Sequence, residues 1–307
     1  MRIVFLGTGS FACPALKAMA DAHDVALVVT QPDRPAGRGG GLREPPAKEL
    51  ATRLGLPILQ PERVKADDAV EAIRAASPDV AVVAAYGQIL KERVFAIPLL
   101  GTINIHASLL PAYRGAAPVH WAIVRGETET GVTTFFIDAG MDTGDMLLQR
   151  GLDIGPDETA GALERRLAEV GASLILDTLD GVDAGTLSAT PQPDEGVSLA
   201  PMLRREDGRV DWTKSAAEIH NLIRGTNPWP GAWTKLGEER VKVHASARTG
   251  IGRGSAEPGE IALGETGRLL VGTGGELIEL LEVQREGRPR IDGKAFLNGL
   301  RGAARFA

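Results

Sequence analysis

The chain has 307 residues, 43% of them hydrophobic and 24% charged. That is the balance of a globular protein, and the length favours two domains of roughly 100 to 200 residues over one very large core. No run of about 18 uncharged apolar residues occurs, which excludes a spanning helix, and a lone cysteine, Cys13, excludes an internal disulfide framework or a multi-thiolate metal site. Net charge is −6, yet residues 1–199 carry 17 Lys/Arg against 26 Asp/Glu while residues 200–307 carry 17 against 14. A mildly basic second half behind an acidic first half can steer an anionic partner to one face.

Residues 2–6 form a short apolar run that reaches Gly7 and Gly9 too soon for a signal-peptide core, so they read as a strand. A helix over 11–20 and a second buried strand over 24–30 complete a βαβ unit. A Gly/Pro/Arg-rich loop spans 31–44, and Pro45-Pro46 then suits the first turn of a helix with Leu50 and Leu54 on one face. Val70 and Ile73 mark another helix. Residues 79–86 (DVAVVAAY) are apolar almost throughout, as a strand covered on both faces requires. Strands follow over 101–106 and 132–137, and from Thr159 the spacing of Leu163, Leu167, Val170 and Leu174 predicts an amphipathic helix.

This alternation predicts an α/β, Rossmann-like, doubly wound and mainly parallel sheet over residues 1–182. Residues 183–207 are polar and aperiodic and read as a linker. Beyond them, a helix over 215–224 and short β runs over 240–244, 259–263, 269–271 and 277–283 suggest a small β-barrel domain over 208–307.

Three segments carry candidate chemistry. Gly7-Thr8-Gly9 follows a strand and, with Ala12, matches the loose dinucleotide fingerprint, with Asp33 beyond the second strand as its acid. Asn104 and His106 alternate with Ile103 and Ile105, so both polar side chains share one strand face at the carboxyl edge where open α/β sheets place ligands. Asp138-Ala139-Gly140-Met141-Asp142-Thr143-Gly144-Asp145 is an acidic, glycine-broken loop at the end of the next strand. Its spacing is not that of a calcium loop, and His23, His120, His220 and His244 lack metal-ligand spacing, so no metal is expected.

An Asn, a His and an Asp at one edge, with no nucleophile elbow, suit acyl transfer in which the substrate brings its own nucleophile. Asn104 and a protonated His106 can donate to the developing oxyanion. Asp142 can orient the imidazole, favour its charged form and move a proton, with Asp145 as the weaker candidate for that role.

These residues resemble the folate-dependent formyltransferases, in which an Asn-x-His on a strand precedes Ser-Leu-Leu-Pro and an Asp stands in a later glycine-containing loop. The resemblance covers nearly the whole chain. It includes Thr30-Gln31-Pro32-Asp33-Arg34-Pro35-Ala36-Gly37-Arg38-Gly39, Tyr113-Arg114-Gly115-Ala116-Ala117-Pro118, Asp211-Trp212 and Asn227-Pro228-Trp229-Pro230. It implies Asn104, His106 and Asp142 as the catalytic set and a C-terminal OB-like β-barrel. It implies 10-formyltetrahydrofolate as donor, held by Tyr86, Gln88, Ile89 and Leu90, by Ser108, Leu109, Leu110 and Pro111, and by Asp138 and Ala139.

The 30–39 motif is similar to the acceptor-stem loop of family members that formylate the α-amino group of methionine on initiator tRNA. The tRNA-binding residues this implies in the loop are Arg34, Arg38 and Arg43. Where relatives often continue with Lys-Lys, this chain has Gly40-Gly41, and each lost phosphate contact shallows the salt dependence of log K by roughly 0.7 to 0.9. Arg204, Arg205 and Lys242 extend the candidate RNA face on charge alone. Trp229, between prolines, reads as a packed corner rather than a base-stacking platform. A monomer in the cytoplasm is expected. The alternatives are a sugar-nucleotide amine formyltransferase, a 10-formyltetrahydrofolate hydrolase, or a non-catalytic RNA- or dinucleotide-binding module.

Overall fold

A computed structural model describes residues 1–36, 41–262, 267–300 and 304–307. In chain order β1 (Arg2–Gly7), α1 (Ala12–Ala22) and β2 (Asp24–Val29) lead to a hairpin of β3 (Arg34–Ala36) and β4 (Gly41–Arg43). Next come α2 (Pro46–Arg53), β5 (Ile58–Leu59), α3 (Asp67–Ala75), β6 (Val80–Ala84), α4 (Glu92–Phe95), β7 (Thr102–His106) and α5 (Pro118–Val124). They are followed by β8 (Glu129–Phe136), β9 (Met146–Asp153) and the long α6 (Ala160–Asp183).

The main sheet runs β5-β2-β1-β6-β7-β8-β9. The first five strands are parallel and β8 turns antiparallel to β7, which is the expected mainly parallel, doubly wound arrangement. All five residues of β6 are buried, because crossover helices cover both faces of a parallel sheet. The buried polar side chains here include several threonines. Thr134 and Thr178 share a hydroxyl–hydroxyl bond of 2.9 Å, so these interior polar groups are satisfied.

The second half contains α7 (Ala216–Gly225), β10 (Ala232–Leu236), β11 (Glu239–Gly252), β12 (Ile261–Ala262), β13 (Leu270–Gly272), β14 (Glu276–Arg285), β15 (Ile291–Asp292) and α8 (Gly293–Asn298). Ser215 caps α7 with a reciprocal Glu218 contact, a capping box. The strands form an antiparallel sheet in the order β10-β11-β14-β13-β12, with β15 against β14. Its edges are joined through the terminal segment: Lys235 and Ala307 exchange backbone hydrogen bonds, and Phe306 N–H donates to the Gly259 carbonyl. The curled sheet encloses Trp212, Phe296 and Phe306, with the Trp212 and Phe306 rings stacked at 5.6 Å.

Contacts divide the chain into two units. One comprises Met1–Gly115, Thr130–Leu152 and Glu164–Ala200, and the other Ala116–Glu129, Asp153–Leu163 and Pro201–Ala307. The division read from the sequence follows position along the chain, whereas this one is discontinuous, because α5 packs with α7. Residues 184–200, inside the stretch read as linker, belong to the first unit and are ordered by hydrogen bonds. Thr190 pairs with Met146, and Arg114 exchanges backbone bonds with Ser198 and Ala200. Trp229 is corrected: it is 51% exposed. The packed neighbour is Trp233, whose indole donates to the Arg205 carbonyl and lies 3.9 Å from the Arg240 guanidinium.

Candidate active site

β7 ends in Asn104-Ile105-His106, and its period of two puts the Asn104 and His106 side chains on one face about 6 to 7 Å apart along the strand. Ile105, only 3% exposed, anchors the opposite face. His106 is itself buried, at 5% exposure, with its ring edge against Phe135. Its Nε2 lies 2.9 Å from the Tyr113 carbonyl oxygen. A carbonyl only accepts, so Nε2 carries the proton. Nδ1 is thereby left facing Asp142 Oδ2 at 3.7 Å, an ion pair whenever the imidazole holds its second proton.

Asp142 reaches this position through a contorted loop. Its φ is +54°, a backbone conformation that side-chain-bearing residues adopt only when their surroundings enforce it. Three sets of hydrogen bonds supply that enforcement. Asp142 Oδ2 accepts the Gly115 N–H at 2.7 Å. Asp138 Oδ1 accepts the Gly140 N–H and the Thr143 hydroxyl, closing the loop on itself. The Asp142 and Gly144 carbonyls accept both amide protons of Gln192. Gly144 cannot be replaced without backbone movement, since a Cβ there would lie 1.7 Å from the Phe136 carbonyl oxygen. Asp145, the alternative acid, is exposed.

The facing loop is equally constrained. Thr133 Oγ1 donates to the Ser108 carbonyl and accepts from the Leu110 N–H and the Gln149 amide. Ser108 is buried and donates to the Ala112 carbonyl, while Tyr113 holds φ +62°. Thr133 and Gln192 were not singled out by the sequence. A threonine inside a buried strand is a weak signal that its hydroxyl is needed, and nothing in an aperiodic segment tells which side chain reaches a distant loop.

Among the residues expected to hold folate, Tyr86 is buried in the sheet's core. Burial pushes its hydroxyl up to about 12, and its carbonyl accepts from Thr8 and Gln31. Gln88 spends its amide on Val64, Pro61 and Glu62. Ile89 is 75% exposed, whereas Leu90 and Leu110 are buried. Leu109 and Pro111 are half-buried, and Asp138 and Ala139 are exposed.

The dinucleotide alternative loses its acid. Asp33 pairs with Lys48 at 2.6 Å and accepts from Gln60, and the Lys48 hydrogen bond holds its carboxyl below the usual range. Gly7 is explained by packing: a Cβ would stand 2.5 Å from the Phe5 ring and 2.8 Å from Ala12 Cβ.

Arg34 and Arg43 stand directly opposite each other on the β3–β4 hairpin, both exposed. Arg38 lies outside the described residues. Arg204, Arg205 and Lys242 are exposed in the second unit. Among the described residues no group of three His, Cys, Asp or Glu side chains could hold a metal, and no helix is long and apolar enough to cross a membrane.

Comparison with known proteins identifies the family. Residues 1–179 match the formyl transferase family and residues 202–301 the formyl transferase C-terminal domain. The chain is 50% identical over 302 residues to a methionyl-tRNA formyltransferase of Solibacter usitatus, covering 98% of this chain and 96% of that protein. It is 48% identical over 303 residues to that of Geobacter metallireducens, with the same coverage. Two solved structures share the fold. WlaRD, a sugar 3N-formyl transferase, superposes with a TM-score of 0.69 at 18% identity, covering 94% of this chain and 99% of its own. HypX from Aquifex aeolicus in complex with tetrahydrofolic acid superposes at 0.64 and 19% identity, covering 97% of this chain and 47% of its own. With two family domains along its length and the paired His106 and Asp142 at the expected sheet edge, the chain belongs to the formyl transferase family.

Proposed function

We propose that this chain transfers the formyl group of 10-formyltetrahydrofolate to the α-amino group of methionine on initiator tRNA, giving formylmethionyl-tRNA. The observation that carries the reading is the His106–Asp142 pair, in a chain half identical along its length to methionyl-tRNA formyltransferases. The amino nitrogen attacks the formyl carbon, and the carbonyl electron pair moves onto oxygen. When the tetrahedral intermediate collapses, the bond to folate N10 breaks. The proton lost by the amine ends on N10, so the enzyme finishes as it began.

Asn104 and His106 stabilise the oxyanion, each donor contributing roughly 10²- to 10³-fold. With Nε2 committed to Tyr113, His106 acts through Nδ1. Asp142, facing Nδ1 at 3.7 Å, orients the imidazole and relays the proton, a contribution of about 10² to 10⁴. Folate lies along residues 86–90, 108–111 and 138–139, read by backbone groups and the exposed Ile89. Arg34, Arg38 and Arg43, with Arg204, Arg205 and Lys242, meet tRNA phosphates. The protein works in the cytoplasm as a monomer, with residues 1–182 forming its catalytic domain and 208–307, behind the 183–207 stretch, an OB-like tRNA-binding domain.

The test is a competition assay with isotopically labelled formyl donor, offering methionyl-tRNA, amino-sugar nucleotides, or water alone. Label in formylmethionyl-tRNA is expected. Label recovered mainly in a sugar nucleotide or as formate would replace this reading with one of the two alternative enzymes, and no transfer at all would leave a binding module.

A further inference from the structure

Gln192 sits in the polar segment between α6 and the second unit, fifty residues from Asp142 in sequence, yet its side chain is spent entirely on the catalytic loops. Nε2 donates to the Asp142 carbonyl at 2.8 Å and the Gly144 carbonyl at 2.9 Å. Oε1 accepts from Arg114 Nε at 3.0 Å and Nη2 at 2.7 Å. The orientation of the amide is unambiguous, because a guanidinium only donates and a carbonyl only accepts. Both residues it ties together lie where the backbone is strained. Asp142 has φ +54°, and Arg114 sits between Tyr113 at +62° and Gly115 at +122°.

The bridge closes a circuit around the catalytic pair. Gly115, next to Arg114, donates its N–H to Asp142 Oδ2, and Tyr113, on the other side, presents the carbonyl that holds His106 Nε2. The segment is moored independently of the side chain, by the Thr190–Met146 pair before it and the Arg114–Ser198 and Arg114–Ala200 bonds after it. We infer that Gln192 is a positioning residue that holds the Asp142 loop in register with the Tyr113–Gly115 backbone, and so fixes the carboxylate against His106. This rests on the reading that Asp142 serves the transfer step.

The experiment is a double-mutant cycle under single-turnover conditions with full-length enzyme, formyl donor and methionyl-tRNA. Gln192→Ala is expected to lower turnover about 10- to 100-fold, the scale of a displacement near 1 Å at a reacting group, with KM for methionyl-tRNA unchanged within about twofold. In an Asp142→Ala background the same substitution should change turnover by less than about twofold, because its effect passes through the missing carboxylate. Gln192→Glu keeps acceptors for Arg114 but lacks donors for the two carbonyls, so it should be as slow as Gln192→Ala. Gln192→Met fills the space without donors and gives the same reading should the alanine variant melt early.

An equal loss in both backgrounds, or near-normal turnover of Gln192→Ala or Gln192→Glu, overturns the inference while leaving the active-site reading intact. Normal turnover of Asp142→Ala alone defeats the reading beneath it.

Discussion

The two places where we propose that this chain meets its substrates are built in opposite ways. At the sheet's carboxyl edge, His106 is 5% exposed and both of its ring nitrogens face a named protein group, while Asp142 is locked by contacts from three separate stretches of chain. On the β3–β4 hairpin, Arg34 and Arg43 are exposed, and Arg34 donates to its neighbour Gln31 at 3.4 Å. Bond-making demands groups placed to a fraction of an ångström. Holding a phosphate backbone demands mainly charge within a Debye length. The first needs a buried, fully satisfied framework, and the second tolerates an exposed ribbon.

Substitutions at the rigid edge should show the largest effects. Asp142→Ala is expected to reduce turnover by about 10² to 10⁴, and Asn104→Ala by about 10² to 10³, with the fold retained in both. Single-turnover kinetics alongside a melting curve checks both, and near-normal rates would remove the distinction between the two regions. A smaller effect belongs to the hairpin. The double variant Arg34→Ala/Arg43→Ala should leave turnover at saturating tRNA unchanged, weaken tRNA binding, and shallow the slope of log K on log salt by roughly 0.7 to 0.9 for each arginine. A fall in maximal turnover with an unaltered slope would show that the hairpin positions rather than attracts. The smallest change is Tyr86→Phe. Its hydroxyl is buried without a hydrogen-bond partner among the described residues, so its removal should cost no stability and leave KM for folate intact, as measured by melting and initial rates. A several-fold rise in KM would mean that the phenol itself reads the folate.

Much of this molecule was legible in its sequence. The continuous apolar runs of β1, β2 and β6 could only be strands covered on both faces. Asn104 and His106 announced a shared face through the period of two, and the helix read over 215–224 is α7. What was missed is local structure with weak periodicity. The strand β9 has half-exposed residues, β5 and β15 are two residues long, and the seven-residue α5 acquires its contacts from α7.

The candidate site divides along the same line. Residue type and spacing determined which groups could do the chemistry: an amide and an imidazole on one strand face, and a carboxylate in the next glycine-broken loop. Tertiary structure decided which nitrogen of His106 is free to act, because that depends on where the Tyr113 carbonyl lands. It also decided that a segment with the composition of a linker would clamp that loop through Gln192. Side-chain periodicity is a property of neighbouring residues and survives in the sequence. Hydrogen bonds between residues fifty or more apart exist only once the chain has folded them into reach.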